Sequence, residues 1–255
     1  MRLEGKVALI SGGARGQGAA EAKLFAGEGA KVVFGDILDD LGKQVEAEIH
    51  EVGGEALYIH LDVTNAADWA SAVEAAVSRY GRLDVLVNNG LDAQGKDLTE
   101  VSFEEFAQHQ ANNAGYFELA RLLHDHAVQR GAPASVINLG SMYGQVGSYP
   151  DAYEGICSAS SVAYHSLKGG TIQMTRHLAV YWARDKVRVN CLSPGAFPNM
   201  SEVPAAMVKR LEGKCPMGRM GEPTELKGAI VFLASGASSY MTGQNLTIDG
   251  GWTAW

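Results

Sequence analysis

The stretch KVALISGGARGQG, residues 6–18, joins a short apolar run to a glycine-rich turn and the start of an amphipathic segment. Gly12, Gly16 and Gly18 within it have the spacing G-x-x-x-G-x-G. Glycine lets the chain turn tightly and approach a phosphate closely, and the N-terminus of a following helix favours negative charge. The stretch therefore predicts a strand, a phosphate-binding turn and a helix, which together begin a parallel α/β fold.

The same alternation continues along the chain. Short apolar runs rich in β-forming residues end at Gly, Asn, Asp or Pro and are separated by helix-like segments. The predicted strands cover residues 6–11, 31–36, 56–63, 84–89, 135–141, 187–195 and 245–251. This order predicts a Rossmann-type α/β fold, a doubly wound parallel sheet of about seven strands with helices on both faces.

No linker or repeat divides the sequence, so we interpret residues 1–255 as a single domain. We expect a cofactor-binding part over about 1–135 and a catalytic and substrate-loop part over about 136–255. Residues 142–163 interrupt the alternation of strands and helices, because they show neither the helical nor the strand period cleanly. A loop of that length in a compact domain is usually functional or disordered.

Composition and charge exclude several kinds of partner. The formal net charge of −8 offers no field that attracts nucleic acid or an anionic membrane surface, and no stretch approaches the roughly 18 apolar residues that span a bilayer. Cys157, Cys191 and Cys215 contain no C-x-x-C pair, which favours free thiols over a disulfide framework or a zinc site. We therefore expect a cytoplasmic protein without a metal, a nucleic-acid partner or a membrane partner.

The residue that ends the second strand predicts the choice of cofactor. Asp36 follows Gly12 by 24 residues, where a carboxylate accepts hydrogen bonds from an adenosine ribose and repels the extra phosphate of NADP. Arg15 favours the opposite choice, since a guanidinium could bind that phosphate. We give Asp36 the greater weight and predict NAD. Asp62 and Val63, after the third strand, could hold the adenine, although a capping role for Asp62 is nearly as plausible.

A second motif, AYHSLKGG at 163–170, places Tyr164 and Lys168 four positions apart, on one face of a helix. Of the nine tyrosines, only Tyr164 has a lysine four residues later. A phenol has a pKa near 10, and a nearby ammonium favours the phenolate. The pair is therefore either a catalytic acid/base or an ordinary pair of neighbours on a helix surface.

Taken together, these motifs resemble the short-chain dehydrogenase/reductase family, in the family's order and over nearly the whole chain. The matching pieces are GGARGQG at the first turn, Asp36, LDV at 61–63, NN at 88–89, Asn112, INLGS at 137–141, Tyr164-x-x-x-Lys168, SPG at 193–195 and TGQNLTIDGG near the end. The resemblance implies an NAD-dependent oxidoreductase that interconverts a secondary alcohol and a ketone. It also implies a homotetramer, in which long helices around 102–130 and 162–184 pair between subunits.

The resemblance implies a catalytic tetrad of Asn112, Ser141, Tyr164 and Lys168. Tyr164 would exchange the alcohol proton, Ser141 would position the substrate oxygen, Lys168 would hold the nicotinamide ribose, and Asn112 would hold a water that connects Lys168 to solvent. The implied cofactor-binding residues are Gly12, Arg15, Gly16, Gln17, Gly18, Asp36, Ile37, Asp62, Val63, Asn89, Gly90, Tyr164, Lys168, Pro194, Gly195 and Phe197.

Some positions depart from the family pattern. Leu91 follows Gly90 where the family has glycine, and Asn113 leaves a one-residue ambiguity about the helical asparagine. The threonine expected after Gly195 is absent, so the nicotinamide carboxamide would bind the Phe197 backbone, with Asn199 or Ser201 as substitutes. Ser141 and Tyr164 are 23 positions apart, which is more than is typical of the family.

The resemblance leaves several substrates open. The second half of the chain is similar to gluconate 5-dehydrogenase-like enzymes, which favours a sugar, a sugar acid or a polyol. The expected substrate residues are Ser141, Tyr143, Tyr153, Tyr164 and Phe197. The first half is similar to hydroxysteroid dehydrogenases, and a steroid or other cyclic secondary alcohol would need an apolar pocket from Met142, Phe197, Met200 and Met207. A 3-oxoacyl reductase and a non-catalytic NAD-binding scaffold are the remaining alternatives.

Overall fold

Seven parallel strands form one sheet in the computed structural model of the chain, which describes residues 1–91, 98–158, 160–198 and 203–255. The strand order is β3-β2-β1-β4-β5-β6-β7, and every neighbouring pair is parallel. The strands are β1 Val7–Ser11, β2 Lys31–Asp36, β3 Glu55–His60, β4 Val85–Asn88, β5 Ala134–Leu139, β6 Val187–Pro194 and β7 Asn245–Ile248. The predicted doubly wound parallel sheet is confirmed.

Helices cover both faces of the sheet, because the side chains of each strand alternate between two cores. In β1, Ala8 and Ile10 pack on one face, while Val7 and Leu9 pack on the other. The α-helices of the described residues are α1 Gly16–Gly27, α2 Asp39–Glu51, α3 Ala66–Tyr80, α4 Phe103–Arg130, α5 Pro150–Tyr153, α6 Val162–Trp182, α7 Ala205–Glu212 and α8 Lys227–Ala234. Buried side chains of α1, α2 and α8 join the first core, and those of α3, α4 and α6 join the second.

Local sequence signals set the ends of the two longest helices. Helix α4 begins with a capping box, in which Ser102 accepts from the backbone of Glu105 and the Glu105 carboxylate accepts from the Ser102 backbone, and it ends at Gly131 with a φ of 64°. The Ser161 hydroxyl caps α6 by accepting a hydrogen bond from the backbone nitrogen of Tyr164. The first turn of α6 therefore begins at the Tyr–Lys motif.

The described residues of segment 142–163, which are all but 159, form only short elements before α6 begins. They are the single 3₁₀ turn Met142–Gly144 and the one-turn helix α5. Further 3₁₀ turns lie at Ala183–Asp185, Pro223–Leu226 and Gly236–Ser238. A third apolar cluster packs Tyr143 and Tyr153 of this segment against α7 and Trp252.

Several strands are shorter than the sequence predicts. Strands β3, β4 and β5 end at His60, Asn88 and Leu139, so Asp62, Asn89 and Ser141 lie in the loops that follow. The carboxyl ends of parallel strands meet at one edge of the sheet, and these loops therefore come together there. Within the described residues no helix has the length and apolar character needed to cross a membrane, and no group of three or more His, Cys, Asp or Glu side chains is arranged to hold a metal.

Candidate active site

A cleft of about 590 Å³ opens at the carboxyl edge of the sheet. It lies where β1 and β4 are neighbours although the helices that follow them pack on opposite faces, which is where α/β sheets bind nucleotides. Of the predicted cofactor-binding residues, all except Gly18 line this cleft. The other lining residues are Leu38, Leu61, Leu91, Leu139, Gly140 and Ser141.

The glycine-rich turn is shaped for a close approach to a phosphate. Gly12 and Gly16 have positive φ values of 70° and 56°, and a Cβ on Gly12 would collide with the backbone of Gly90. The Asn89 side-chain amide donates 2.9 Å to the Gly12 carbonyl and ties the turn to the end of β4. Gly18 faces the turn itself, since a Cβ there would collide with the Gly12 oxygen. The turn and the N-terminus of α1 can therefore hold a pyrophosphate.

The Asp36 carboxylate is held at one end of the cleft. Its two oxygens accept hydrogen bonds from the backbone nitrogens of Ala14 at 3.1 Å and Leu38 at 3.2 Å. The Tyr58 hydroxyl lies 2.6 Å from the Asp36 carbonyl oxygen and 2.8 Å from an Asp39 carboxylate oxygen. The two backbone hydrogen bonds fix the direction of the Asp36 carboxylate, and Tyr58 ties the end of β2 to the start of α2.

Asp62 caps a turn and also lines the cleft. Its carboxylate oxygen accepts from the Thr64 backbone at 2.8 Å and from the Thr64 hydroxyl at 2.7 Å, so it caps the turn after β3. The residue nevertheless lines the cleft together with Val63.

Ser141, Tyr164 and Lys168 come together at the opposite end of the cleft. The Ser141 side chain lies beside the Tyr164 phenol and lowers its pKa, and the Lys168 Nζ atom lies 5.8 Å from the centre of the Tyr164 ring. Lys168 is buried, and its Nζ donates a 2.6 Å hydrogen bond to the Leu139 carbonyl. The interval of 23 residues therefore does not separate Ser141 from Tyr164, because the intervening segment folds away against α7.

Burial sets the proton affinities of this group in the protein alone. It raises the pKa of Tyr164, against the opposing effect of the hydrogen bond from Ser141. Burial also lowers the pKa of Lys168 to about 8, since the ammonium is removed from water. The lysine is therefore far closer to neutrality than a surface lysine and can respond to a neighbouring charge.

The structure separates the roles of the two adjacent asparagines. Asn112 is fully buried in α4, and its side-chain amide donates 2.8 Å to the His109 carbonyl. Asn113 points towards α6 instead, where its amide donates 3.0 Å to the Leu167 carbonyl. Asn112 is thus the asparagine on the inner face of α4, although it does not line the cleft.

Tyr143 and Tyr153, two expected substrate residues, lie outside the lining of the cleft. Their hydroxyls are 2.6 Å apart and hydrogen-bond to each other, and the Tyr143 ring stacks on His165 at 4.7 Å. Both rings are buried in the cluster around Trp252. Asn199, Met200 and Ser201 fall outside the described residues.

The sequence alone does not predict two contacts of the site. Leu139 contributes its backbone carbonyl, which any residue type supplies, and the side chain of Asn113 contacts α6. Leu91, which departs from the family pattern, lines the cleft beside Gly90.

Comparisons with known proteins agree with this geometry. The family model described as enoyl-(acyl carrier protein) reductase matches residues 12–253. The 2,5-dichloro-2,5-cyclohexadiene-1,4-diol dehydrogenase of Sphingobium indicum is 38% identical, over 99% of this chain and 98% of its own. The 3-alpha-(or 20-beta)-hydroxysteroid dehydrogenase of Mycobacterium bovis is 37% identical, over 99% of this chain and 91% of its own.

A solved structure shows the same fold. The gluconate 5-dehydrogenase of Burkholderia cenocepacia, in complex with NADP and tartrate, is 30% identical, with a TM-score of 0.89 over 100% of this chain and 97% of its own. The sequence match and the shared fold extend over the turn, the cleft and the Tyr–Lys helix alike. The chain therefore belongs to the short-chain dehydrogenase/reductase family and is an oxidoreductase.

Proposed function

We propose that this protein interconverts a cyclic secondary alcohol and its ketone, with NAD as the hydride carrier and Tyr164 as the acid/base. The observation that carries the proposal is the meeting of Ser141, Tyr164 and Lys168 at one end of a cleft whose other end presents a fixed Asp36 carboxylate. A bound NAD would accept the hydride that leaves the alcohol carbon.

The described residues fit a dinucleotide. The glycine turn and the N-terminus of α1 would hold its pyrophosphate, and Asp36 would accept hydrogen bonds from the adenosine ribose. Asp36 supports NAD over NADP because a second anion at that ribose would lie against a carboxylate already fixed by two backbone donors. Arg15 is exposed at the same turn and is the residue through which NADP could still bind.

In the oxidation direction Tyr164 takes the hydroxyl proton of the alcohol, and in reduction it returns that proton to the ketone oxygen. Ser141 orients the reacting oxygen, since it lines the cleft together with Tyr164 and its side chain acts on that phenol. Burial raises the pKa of Tyr164. When Lys168 is charged, its ammonium would favour the phenolate and so oppose that effect. We assign Asn112 the support of a water between Lys168 and solvent.

The cleft supports a cyclic alcohol over a sugar. Leu91, Ser141 and Phe197 follow the neighbouring strands β4, β5 and β6, so an apolar side chain stands on each side of the serine. The hydroxyls of Tyr143 and Tyr153, which a polyhydroxylated substrate would need, bond to each other. The relatives named for a cyclohexadienediol and for hydroxysteroids favour the same class.

A sugar acid or polyol is the second candidate, because the gluconate 5-dehydrogenase structure superposes over the full chain. A 3-oxoacyl reductase is less favoured, since those enzymes generally use NADPH and Asp36 opposes it.

The test is NADH formation from NAD with parallel panels of cyclic secondary alcohols, hydroxysteroids, sugar acids and polyols. Wild type is compared with Tyr164→Phe and with Tyr240→Phe, a fully exposed tyrosine outside the cleft that serves as the control. Turnover of cyclic alcohols that only Tyr164→Phe removes supports the proposal. Turnover of the polyhydroxylated panel alone supports the second candidate, and NADH binding without any turnover supports a non-catalytic scaffold.

We also propose that the protein acts as a homotetramer that pairs through α4 and α6. Val180 and Tyr181 of α6 and Phe103 of α4 are largely exposed in the single chain. A solution mass equal to that of a monomer at micromolar concentration would refute this assembly.

A further inference from the structure

Two side-chain amides of α4 bind backbone carbonyls of α6. Gln110 donates 3.0 Å to the Ala163 oxygen, and Asn113 donates 3.0 Å to the Leu167 oxygen. Residues three apart on one helix thus bind carbonyls four apart on the other, so each pair lies on one face of its own helix. We call Gln110 and Asn113 the amide pair.

The carbonyls that the amide pair binds immediately precede the two reactive residues of α6. Ala163 comes before Tyr164, and Leu167 comes before Lys168. Both carbonyls lie within α6, where they already accept hydrogen bonds from the helix, and a carbonyl oxygen has a second lone pair for another donor. The amide pair therefore adds nothing that α6 needs in order to form. Its hydrogen bonds instead fix the position of α6 along α4.

The Asn113 side chain is held from both sides. Its oxygen accepts a 2.8 Å hydrogen bond from the Thr171 hydroxyl, while its nitrogen binds Leu167. Gly170 leaves the space that this nitrogen occupies, because a Cβ on Gly170 would lie 2.9 Å from it. The neighbouring Gly169 has no such role, since the nearest atom to its Cβ position is 3.6 Å away, at ordinary contact distance.

We propose that Gln110 and Asn113 are positioning residues that hold the Tyr–Lys face of α6 in register with the inner face of α4, and that Gly170 is glycine to admit the Asn113 amide. The inference rests on the proposed function, because it assigns the amide pair to the geometry of the Tyr164 reaction. A displacement of about 1 Å in a reacting group can lower a rate by up to 100-fold.

The first experiment compares Asn113→Ala, Gly170→Ala and the matched control Gly169→Ala, measuring kcat and KM for NAD with an alcohol that wild type oxidises. We expect kcat to fall about tenfold in the first two variants, because the shift of α6 displaces Tyr164 from its reacting position. KM for NAD should change less than kcat, since the glycine-rich turn does not shift and Lys168 is only one of the residues of α6 that line the cleft. Gly169→Ala should keep the wild-type kcat. Equal losses in both glycine variants would overturn the proposal, since they would reflect α6 as a whole.

A double-mutant cycle tests whether Gly170 acts through Asn113. In an Asn113→Ala background the added methyl of Gly170→Ala no longer meets the amide, so the second substitution should have little further effect on kcat. Independent, additive losses would overturn the proposal, because Gly170 would then act through some other contact. The mass of each variant in solution is measured as well, since Gly170 is exposed on α6.

The pH profile distinguishes positioning from general destabilisation. Loss of register moves the Tyr164 phenol away from Ser141, whose side chain lowers the pKa of that phenol, so the acidic limb of kcat should shift to higher pH in Asn113→Ala. An unshifted limb with a merely lower kcat would contradict the positioning role. If the wild-type protein shows no turnover, both the proposed function and the positioning role are refuted. If the wild type is active and Asn113→Ala keeps the wild-type kcat, only the positioning role is refuted.

Discussion

The Lys168 Nζ atom donates a 2.6 Å hydrogen bond to the carbonyl oxygen of Leu139, the last residue of β5. Leu139 precedes Ser141 by two residues, and Lys168 follows Tyr164 by one helical turn. One buried bond therefore joins the strand that precedes the serine to the helix that carries the tyrosine. Lys168 therefore places an amino group near the Tyr164 phenol and also connects two elements of the site.

Replacing Lys168 with methionine should lower kcat by about 100-fold, because the variant keeps the length of the side chain but has neither the ammonium nor the donor to Leu139. NADH formation measures the effect, with the exposed Lys43→Met as control. Near-normal turnover in Lys168→Met would show that the ammonium does not assist the reaction.

Substituting Asp36 by alanine should shift the ratio of kcat/KM for NAD to that for NADP by about 10- to 100-fold towards NADP, since it removes a charged acceptor for the ribose and the repulsion of a phosphate. The comparison uses both cofactors at one fixed alcohol concentration. Asp40→Ala, an exposed carboxylate in the first turn of α2, is the matched control and should leave the ratio unchanged.

Tyr58→Phe should weaken NADH binding by several-fold without changing kcat at saturating cofactor. The lost hydroxyl otherwise binds the Asp36 carbonyl and the Asp39 carboxylate, which ties the end of β2 to the start of α2. NADH fluorescence gives the dissociation constant. Tyr80→Phe removes a buried hydroxyl without a hydrogen-bond partner in the described structure and should bind as wild type does. Equal dissociation constants of NADH for Tyr58→Phe and Tyr80→Phe would refute the role of the Tyr58 hydroxyl in cofactor binding.

Glu21→Gln should change how stability depends on pH. Within the described structure neither carboxylate oxygen of Glu21 has a hydrogen-bond partner, and burial raises its pKa from 4.5 to about 8. The native protein thus keeps this proton up to about pH 8, while the unfolded chain releases it near pH 4.5, so the free energy of unfolding falls as pH rises through that window.

Urea unfolding at several pH values across this window measures the effect. Glu21→Gln should remove much of the decline, while the exposed Glu74→Gln should keep it. Parallel curves for wild type and Glu21→Gln would mean that Glu21 does not hold its proton in the native protein.

Gly115→Ala should lower the free energy of unfolding by about 2 kcal/mol or more, because a Cβ there would collide with the backbone oxygen of Val63 and overpack the contact between α4 and the loop after β3. Gly27→Ala, at an exposed position in α1 with open space around its Cβ, should be neutral or slightly stabilising. Urea denaturation measures the free energy of unfolding of each variant, and equal values for Gly115→Ala and Gly27→Ala would contradict the predicted collision.

The sequence alone determined the features that depend on neighbouring residues. The G-x-x-x-G-x-G turn, the acidic end of β2 and the placement of Tyr164 and Lys168 on one helical face follow from backbone preferences and from periods of two and 3.6 residues. The order of strands and helices also follows, because short buried strands alternating with helices have few other solutions.

Only the tertiary structure decided which groups meet. Leu139 contributes its backbone carbonyl to the site, and the type of its side chain does not predict this contact. Tyr143 and Tyr153 hydrogen-bond to each other outside the lining of the cleft. Asn112 and Asn113 are the same residue type at adjacent positions, yet one faces inward and the other binds α6. A step of one residue turns a side chain by about 100° around a helix, and which direction meets a partner depends on elements packed from distant parts of the chain.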